Sequence, residues 1–164
     1  MSTYDLNVLR TLLDAAPTAR HVVHEAAKIL ERQGFTKWDG DGAPSAGHLS
    51  RGFFTRAGSI VAWSGIEKDS RLPLRMVGAH TDSPGLTLKL GSPASSFGFG
   101  LLNVEVYGGP LLNSWLDRDL ELAGVVTTSN GESVLFRSSE PVARISQLAI
   151  HLDRDVNEKG LVLD

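Results

Sequence analysis

The sequence predicts an α/β unit over residues 1–90 and a β-rich unit over residues 91–164. Apolar residues recur at helical spacing near the N-terminus, whereas short runs typical of strands replace them after residue 100. Between the two regions, residues 91–100 are rich in glycine and serine, which is typical of a loop or a chain crossing. The chain has 164 residues, of which 41% are hydrophobic and 21% charged, so it is long enough to bury one good core.

Two helices are predicted at the start of the first unit. The leucines of the first helix lie three or four residues apart: Leu6, Leu9 and Leu13. Pro17 closes this helix, and Thr18 is expected to cap a second helix that runs from about residue 19 to residue 33. Gly34 lies just past that end, where a glycine commonly terminates a helix.

Four strands are predicted in the rest of the first unit. Phe53–Arg56 and Ser59–Trp63 flank Ala57-Gly58, which is typical of a tight turn. Residues 72–77 form an apolar run that we expect to be a buried strand. Residues 86–90 alternate between apolar and polar side chains, as a half-exposed strand does.

The predicted β-rich unit carries three strand candidates, at residues 103–107, 120–128 and 133–137. Asn130-Gly131 predicts a hairpin with a type I′ turn between the last two strands, because both residues accept a positive φ. Residues 161–164 begin an apolar stretch that stops at the last residue. We therefore expect the chain to be a fragment of a longer protein.

The apolar run at residues 72–77 leads into His80 and Asp82, the most informative polar pair in the sequence. Ligands in open α/β sheets bind just beyond the carboxyl ends of the strands. Imidazole is a good ligand for zinc, and a carboxylate two residues further on can orient it. The alternative is a polar strand end in a turn, in which Asp82 or Ser83 caps the next segment.

Charge and cysteine content exclude several classes of site and partner. The 16 basic and 19 acidic residues give a net charge of -3, so we expect neither a nucleic-acid nor a membrane partner. The absence of cysteine excludes disulfides and thiolate ligands, and it fits a cytoplasmic location. Any metal must be held by histidines and carboxylates. His21 and His24 share a helix face, but two ordinary helix histidines are the favoured interpretation.

Five segments, which follow one another in the same order as in the family, together resemble the aspartyl aminopeptidase family of zinc metallopeptidases. They are residues 56–59, 78–84, 104–109, 115–124 and 147–152. The resemblance spans nearly the whole chain. One departure is Ala57, which stands where the family usually has asparagine.

The resemblance implies the N-terminal part of a metallopeptidase α/β catalytic domain, over residues 1–90, followed by the first part of a β-rich inserted dimerisation domain. It implies an enzyme with two divalent ions, zinc in this family, that removes N-terminal acidic residues from peptide substrates. His80 would be a metal ligand and Asp82 the catalytic carboxylate that supports the metal site. His151 would bind substrate in the partner subunit's active site, within a homo-oligomer of dimers that build a dodecamer.

Two other polar positions are open to competing interpretations. Asp117 and Asp119 suggest a pair of carboxylates for acid–base chemistry, but Arg118 between them indicates local ion pairing, so we interpret the block as structural. His151 lies in an apolar run, where a lone histidine is usually part of the core. The family resemblance favours the substrate-binding role instead.

The competing hypothesis is a non-catalytic fragment, or an assembly or binding module. A catalytic zinc uses three protein ligands and an open position, and one histidine cannot supply them. The remaining ligands and the general base of the family lie after its inserted domain and have no counterpart here. We therefore expect the 164-residue chain alone to be inactive.

Overall fold

A computed structural model describes residues 6–42, 45, 50–65, 75–91 and 94–160 of the chain. These residues group into two compact units. The first contains the described residues up to Asp82 together with Ala123–Phe136, and the second contains Ser83–Leu122 and the described residues from Arg137 onward. The predicted boundary at residue 90, between a catalytic and a dimerisation domain, stays a prediction.

Both predicted helices are present in the first unit. Helix α1 is Leu6–Ala15 and helix α2 is Ala19–Arg32. Thr18 caps α2 as expected, since its side chain accepts a hydrogen bond from the backbone N–H of His21 at 3.5 Å. Gln33 is the C-cap and Gly34 follows with a φ of +79°. None of the helices in the described part of the chain has the length and hydrophobicity of a membrane-spanning segment.

The core of the first unit is a three-stranded sheet. Strand β2, Arg51–Arg56, pairs antiparallel with β3, Ser59–Ser64, and parallel with the short β1, Thr36–Lys37. These bounds confirm the two strands predicted around Ala57-Gly58. Phe53 at the centre of β2 is fully buried, because α2 covers this sheet.

The buried strand predicted at residues 72–77 is wrong in its described part. Residues 75–77 are irregular, and Met76 and Val77 are 88% and 98% exposed. Residues 72–74 lie outside the described residues. An apolar run becomes a strand only when neighbouring strands satisfy its backbone groups, and no described strand pairs with residues 75–77.

The second unit begins with strands that lie in and around the predicted loop. Strand β4 is Gly85–Leu88, as expected, and it pairs with β7, Val104–Tyr107. The loop predicted at residues 91–100 instead contains a small hairpin of β5, Ala94–Ser96, and β6, Phe99–Leu101. The sequence prediction missed this hairpin because its turn, Phe97-Gly98, does not carry the usual Asn-Gly signal.

The strand predicted at residues 120–128 is divided between two pairings. Strand β8, Asp119–Leu120, pairs with β11, Ala143–Arg144, after the 3₁₀ turn Leu112–Trp115. Strand β9, Ala123–Thr127, pairs with β10, Ser133–Arg137. A short helix α3, Val156–Lys159, ends the described chain, and the strand start predicted at residues 161–164 lies outside it.

The β9–β10 hairpin is confirmed, but its predicted type I′ turn is wrong. Of Asn130 and Gly131, the glycine alone has a positive φ, +85°. The N–H of Gly131 donates to the carbonyl of Thr128 at 2.9 Å, and the N–H of Thr128 donates to the carbonyl of Glu132 at 2.8 Å. This is a three-residue loop in which a glycine bulge follows an ordinary turn.

Candidate metal centre

The loop at residues 75–84, which precedes β4, brings His80 and Asp82 together. The Nδ1 atom of His80 lies 3.1 Å from the Oδ1 atom of Asp82. The His80 side chain is 89% exposed and the Asp82 side chain 40% exposed. Both residues lie on an accessible loop and not at the end of the buried strand that the sequence predicted, because residues 75–79 are irregular.

The contact between these two side chains determines which imidazole nitrogen can bind a metal. An ionised carboxylate only accepts hydrogen bonds, so Nδ1 of His80 carries the hydrogen and donates a hydrogen bond to Asp82. In the neutral ring, the lone pair then belongs to Nε2. A carboxylate that orients a metal-binding histidine in this way is common at zinc sites. The donor chemistry of His80 and Asp82 thus fits zinc.

Thr81, between the two predicted site residues, anchors the loop. Its hydroxyl donates a hydrogen bond to the carbonyl of Gly58 at 2.6 Å. Gly58 lies in the turn between β2 and β3. The contact of Thr81 could not be predicted from the sequence, because the acceptor is 23 residues away and no local spacing reveals it.

The loop brings one imidazole and one carboxylate together. In the part of the chain that the structure describes, no group of three or more histidine, aspartate or glutamate side chains is close enough to hold a metal ion. His21 and His24 are not part of such a group; His21 is buried and its Nδ1 lies 2.8 Å from the hydroxyl of Thr18. Their interpretation as ordinary helix histidines is consistent with this contact.

His151 lies in the second unit, in a turn. The N–H of Leu152 donates to the carbonyl of Ala149 at 2.8 Å, which closes the turn around it. The residue is exposed, so the interpretation as a core histidine is wrong for this structure. An apolar sequence neighbourhood indicates burial only where an opposing surface covers it.

Asp117 holds the segment that leads to His151. Its Oδ1 accepts a hydrogen bond from the N–H of Gln147 at 3.2 Å, and its own N–H donates to the carbonyl of Ile145 at 2.8 Å. Asp117 adopts a φ of +50°, which aspartate tolerates better than most residues. These contacts support the structural interpretation of this residue.

The predicted ion pairing through Arg118 is wrong. Asp119 pairs with Arg144 at 3.1 Å, across the β8–β11 ladder, and Arg118 donates to the carbonyl of Ser114 at 3.3 Å. The spacing could not show this, because the true partner of Asp119 lies on another strand. The block is a structural junction in the second unit.

Comparison with known proteins gives a consistent match across the chain. Residues 12–162 match the model of a family described as aminopeptidase I zinc metalloprotease (M18). The chain is 44% identical over 163 residues to a probable M18 family aminopeptidase 2 of Streptomyces avermitilis, covering 95% of this chain and 36% of the relative. A protein of the same name from Mycobacterium tuberculosis is 38% identical over 157 residues, with 93% and 35% covered. The chain thus spans about a third of the length of the curated relatives it matches.

Solved structures of this family resemble the fold. A cryo-EM structure of the Ape4 and Nbr1 complex contains a chain with a TM-score of 0.82 and 32% identity, covering 96% of this chain and 31% of that one. The crystal structure of an M18 family aminopeptidase from Thermotoga maritima gives a TM-score of 0.78 and 27% identity, covering 94% and 35%. The Saccharomyces cerevisiae mApe1 dodecamer gives a TM-score of 0.70 at 24% identity, covering 88% and 36%, which is a likeness of fold.

Proposed function

This chain belongs to the M18 family of aminopeptidase I zinc metalloproteases, and on that premise we propose that the whole protein is a zinc-dependent aminopeptidase. The observation that carries the proposal is the hydrogen bond between His80 and Asp82, on an exposed loop within the matched residues. It is the arrangement that a metal-binding histidine needs.

The roles of this chain's residues in the reaction follow from that geometry. His80 offers Nε2 as one metal ligand, and Asp82 fixes the tautomer and the direction of the ring through Nδ1. Zinc, when bound, supplies Lewis-acid polarisation of the scissile carbonyl and acidifies water. We propose two divalent ions, with the other ligands and the general base coming from residues beyond the site described above.

The proposed substrates are peptides, from which the enzyme releases an N-terminal residue, preferably acidic. His151 is the residue of this chain that we propose to contact substrate, in the active site of a partner subunit. Its exposed position in the turn after Ala149 is compatible with reaching another chain. We propose a homo-oligomer of dimers building a dodecamer, in the cytoplasm; the fold shared with a protein solved as a dodecamer supports the assembly.

The test of the proposed activity uses the intact gene product and aminoacyl chromogenic substrates. We expect release from aspartyl and glutamyl substrates to exceed release from leucyl substrate, and a chelator to abolish it until zinc is restored. His80→Ala should abolish activity and lower the zinc content per subunit. His24→Ala, which removes an exposed histidine of α2, is the matched control and should change neither. Full activity in the His80 variant would refute the assignment of His80.

A second test asks whether His151 acts on a partner subunit. The variants His80→Ala and His151→Ala are expected to be inactive alone. After mixed reassembly, half of the dimers carry one of each, and one of their two sites contains both intact residues. Recovery of about a quarter of wild-type activity is therefore expected for a symmetric dimer. No recovery would place His151 in its own subunit's site, and an active His151→Ala variant would place it outside any site.

The second candidate function concerns the 164-residue polypeptide by itself. The absence of a three-ligand group from the described residues favours a non-catalytic assembly or binding module. We propose that the isolated chain, supplied with zinc or cobalt, does not hydrolyse an aspartyl chromogenic substrate. Turnover above that of its His80→Ala variant would overturn this proposal.

A further inference from the structure

We propose that Thr81 is a positioning residue for the metal-binding histidine, acting through a tether to the β2–β3 turn. The inference rests on the proposed function, since it assigns a role toward the metal that His80 would bind. Thr81 lies between His80 and Asp82, and its hydroxyl donates to the carbonyl of Gly58 at 2.6 Å. This bond fixes the middle of the loop to the turn between β2 and β3.

The tether matters because the loop has no regular secondary structure of its own. The backbone from residue 75 to residue 84 has no helical or strand assignment, and residues 75–80 are exposed. The His80–Asp82 bond joins two residues of the loop and orients the imidazole ring within it. The Thr81 hydroxyl links this loop to the β2–β3 turn of the first unit.

The acceptor end of the tether is itself held in place. Gly58 follows β2 in a two-residue turn closed by the pairing of Arg56 with Ser59. A Cβ atom added at Gly58 would lie 3.3 Å from the Cβ of Ala19, the first residue of α2. The turn therefore lies against the start of α2, and glycine allows this close approach. The position of the metal ligand is thus set by a chain of contacts from Ala19 to Gly58 to Thr81.

Substitutions at the two ends of this series of contacts test the tether separately. Thr81→Val keeps the shape of the side chain but removes the donor, whereas Thr81→Ser keeps the hydroxyl. Gly58→Ala leaves Thr81 intact but pushes the turn away from Ala19, and the double variant Ala19→Gly with Gly58→Ala gives that space back. Weaker zinc binding by Thr81→Val and Gly58→Ala would point to the tether. Restored binding in Thr81→Ser and in the double variant Ala19→Gly with Gly58→Ala would show that the effect is specific to it.

The experiment measures zinc affinity of the intact gene product by competition with a chromophoric chelator. Thr81→Val is expected to bind zinc about 10- to 100-fold more weakly, the usual effect of removing a group that supports a ligand. Thr81→Ser should bind nearly as the wild type does. With Co²⁺ as the probe, Thr81→Val should alter the visible absorption spectrum and Thr81→Ser should restore it.

The controls separate this inference from the proposed function. If His80→Ala retains wild-type zinc affinity, the ligand assignment fails, whatever Thr81 does. If His80→Ala loses zinc but Thr81→Val binds it as tightly as the wild type, the tether alone is refuted. If Thr81→Val does not fold, the Gly58→Ala pair decides: weakened zinc binding that the Ala19→Gly change restores supports the tether, and unchanged binding refutes it.

Discussion

The turn between β2 and β3 carries a backbone conformation that its sequence does not favour. Ala57 has a φ of +54°, whereas Gly58 beside it does not have a positive φ. A positive φ at the first central position alone is the sign pattern of a type II′ turn, in which glycine is preferred at that position. For an L-residue, the left-handed region costs about 1–2 kcal/mol, because Cβ approaches the following carbonyl oxygen.

Replacing Ala57 should therefore raise or lower the free energy of unfolding, depending on how well the new residue accepts a positive φ. Asparagine is several-fold enriched at positive φ, so Ala57→Asn should stabilise the protein by about 0.5–1 kcal/mol. Glycine removes the strain but loses about 0.4–1 kcal/mol through the entropy of the unfolded chain, so Ala57→Gly should also stabilise the protein, by about 0.5–1 kcal/mol. Valine, which is branched at Cβ, should destabilise by about 1–2 kcal/mol.

The assay is urea unfolding of the four proteins at fixed pH, compared by midpoint. For a urea dependence of about 2 kcal/mol per M, Ala57→Asn should raise the midpoint by about 0.3–0.5 M. Ala62 is the matched control, because it is an exposed alanine in β3. Ala62→Val should be neutral or stabilising, since valine favours strands. Equal midpoints for Ala57→Asn and Ala57→Val would refute the reasoning.

Three further substitutions test other parts of the structure by urea unfolding. Phe97→Asn should stabilise the β5–β6 hairpin by about 0.5–1 kcal/mol, because both Phe97 and Gly98 have a positive φ and asparagine accepts it better than phenylalanine; no gain would argue against this turn. Asp117→Ala should cost about 1–3 kcal/mol, since it removes the acceptor of the Gln147 N–H and places alanine at a positive φ, while Asp117→Asn should cost much less; equal costs would contradict this. In α2, the hydrogen bond from Lys28 lowers the pKa of Glu25, against burial, which raises it. The carboxylate thus stabilises the fold above its ordinary pKa and loses that effect as the pH falls through the lowered pKa. Glu25→Gln should therefore cost about 0.3–0.5 kcal/mol at neutral pH and nothing in acid below that pKa; a cost that does not vary with pH would contradict it.

Local signals predicted those elements whose stabilising contacts are close in sequence. Helix α2 was predicted because Thr18 and Gly34 mark its ends, and the β2–β3 and β9–β10 hairpins because a turn signal separates two strand-forming runs. The same reasoning failed at residues 75–77. There an apolar run found no pairing strand among the described residues.

In the candidate site too, a contact between residues close in sequence could be predicted and contacts between distant residues could not. The spacing of His80 and Asp82 was enough to predict that they interact, since residues two apart on a loop reach each other. The tether from Thr81 to Gly58 was missed, because a hydrogen bond across 23 residues leaves no local pattern. Likewise Asp119 was expected to pair near Arg118, and its partner is Arg144 on β11.

The sequence by itself determined the two helices, the β2–β3 and β9–β10 hairpins, the family and the proximity of His80 to Asp82. These depend on capping, periodicity, turn residues and short motifs, which act over a few residues. The tertiary structure decided that β8 and β9 take different partners, that His151 is exposed, and that Thr81 ties the His80 loop to the turn beside α2. Those features depend on which distant segments meet, and chain folding brings these together through long-range pairing and packing that no short stretch encodes.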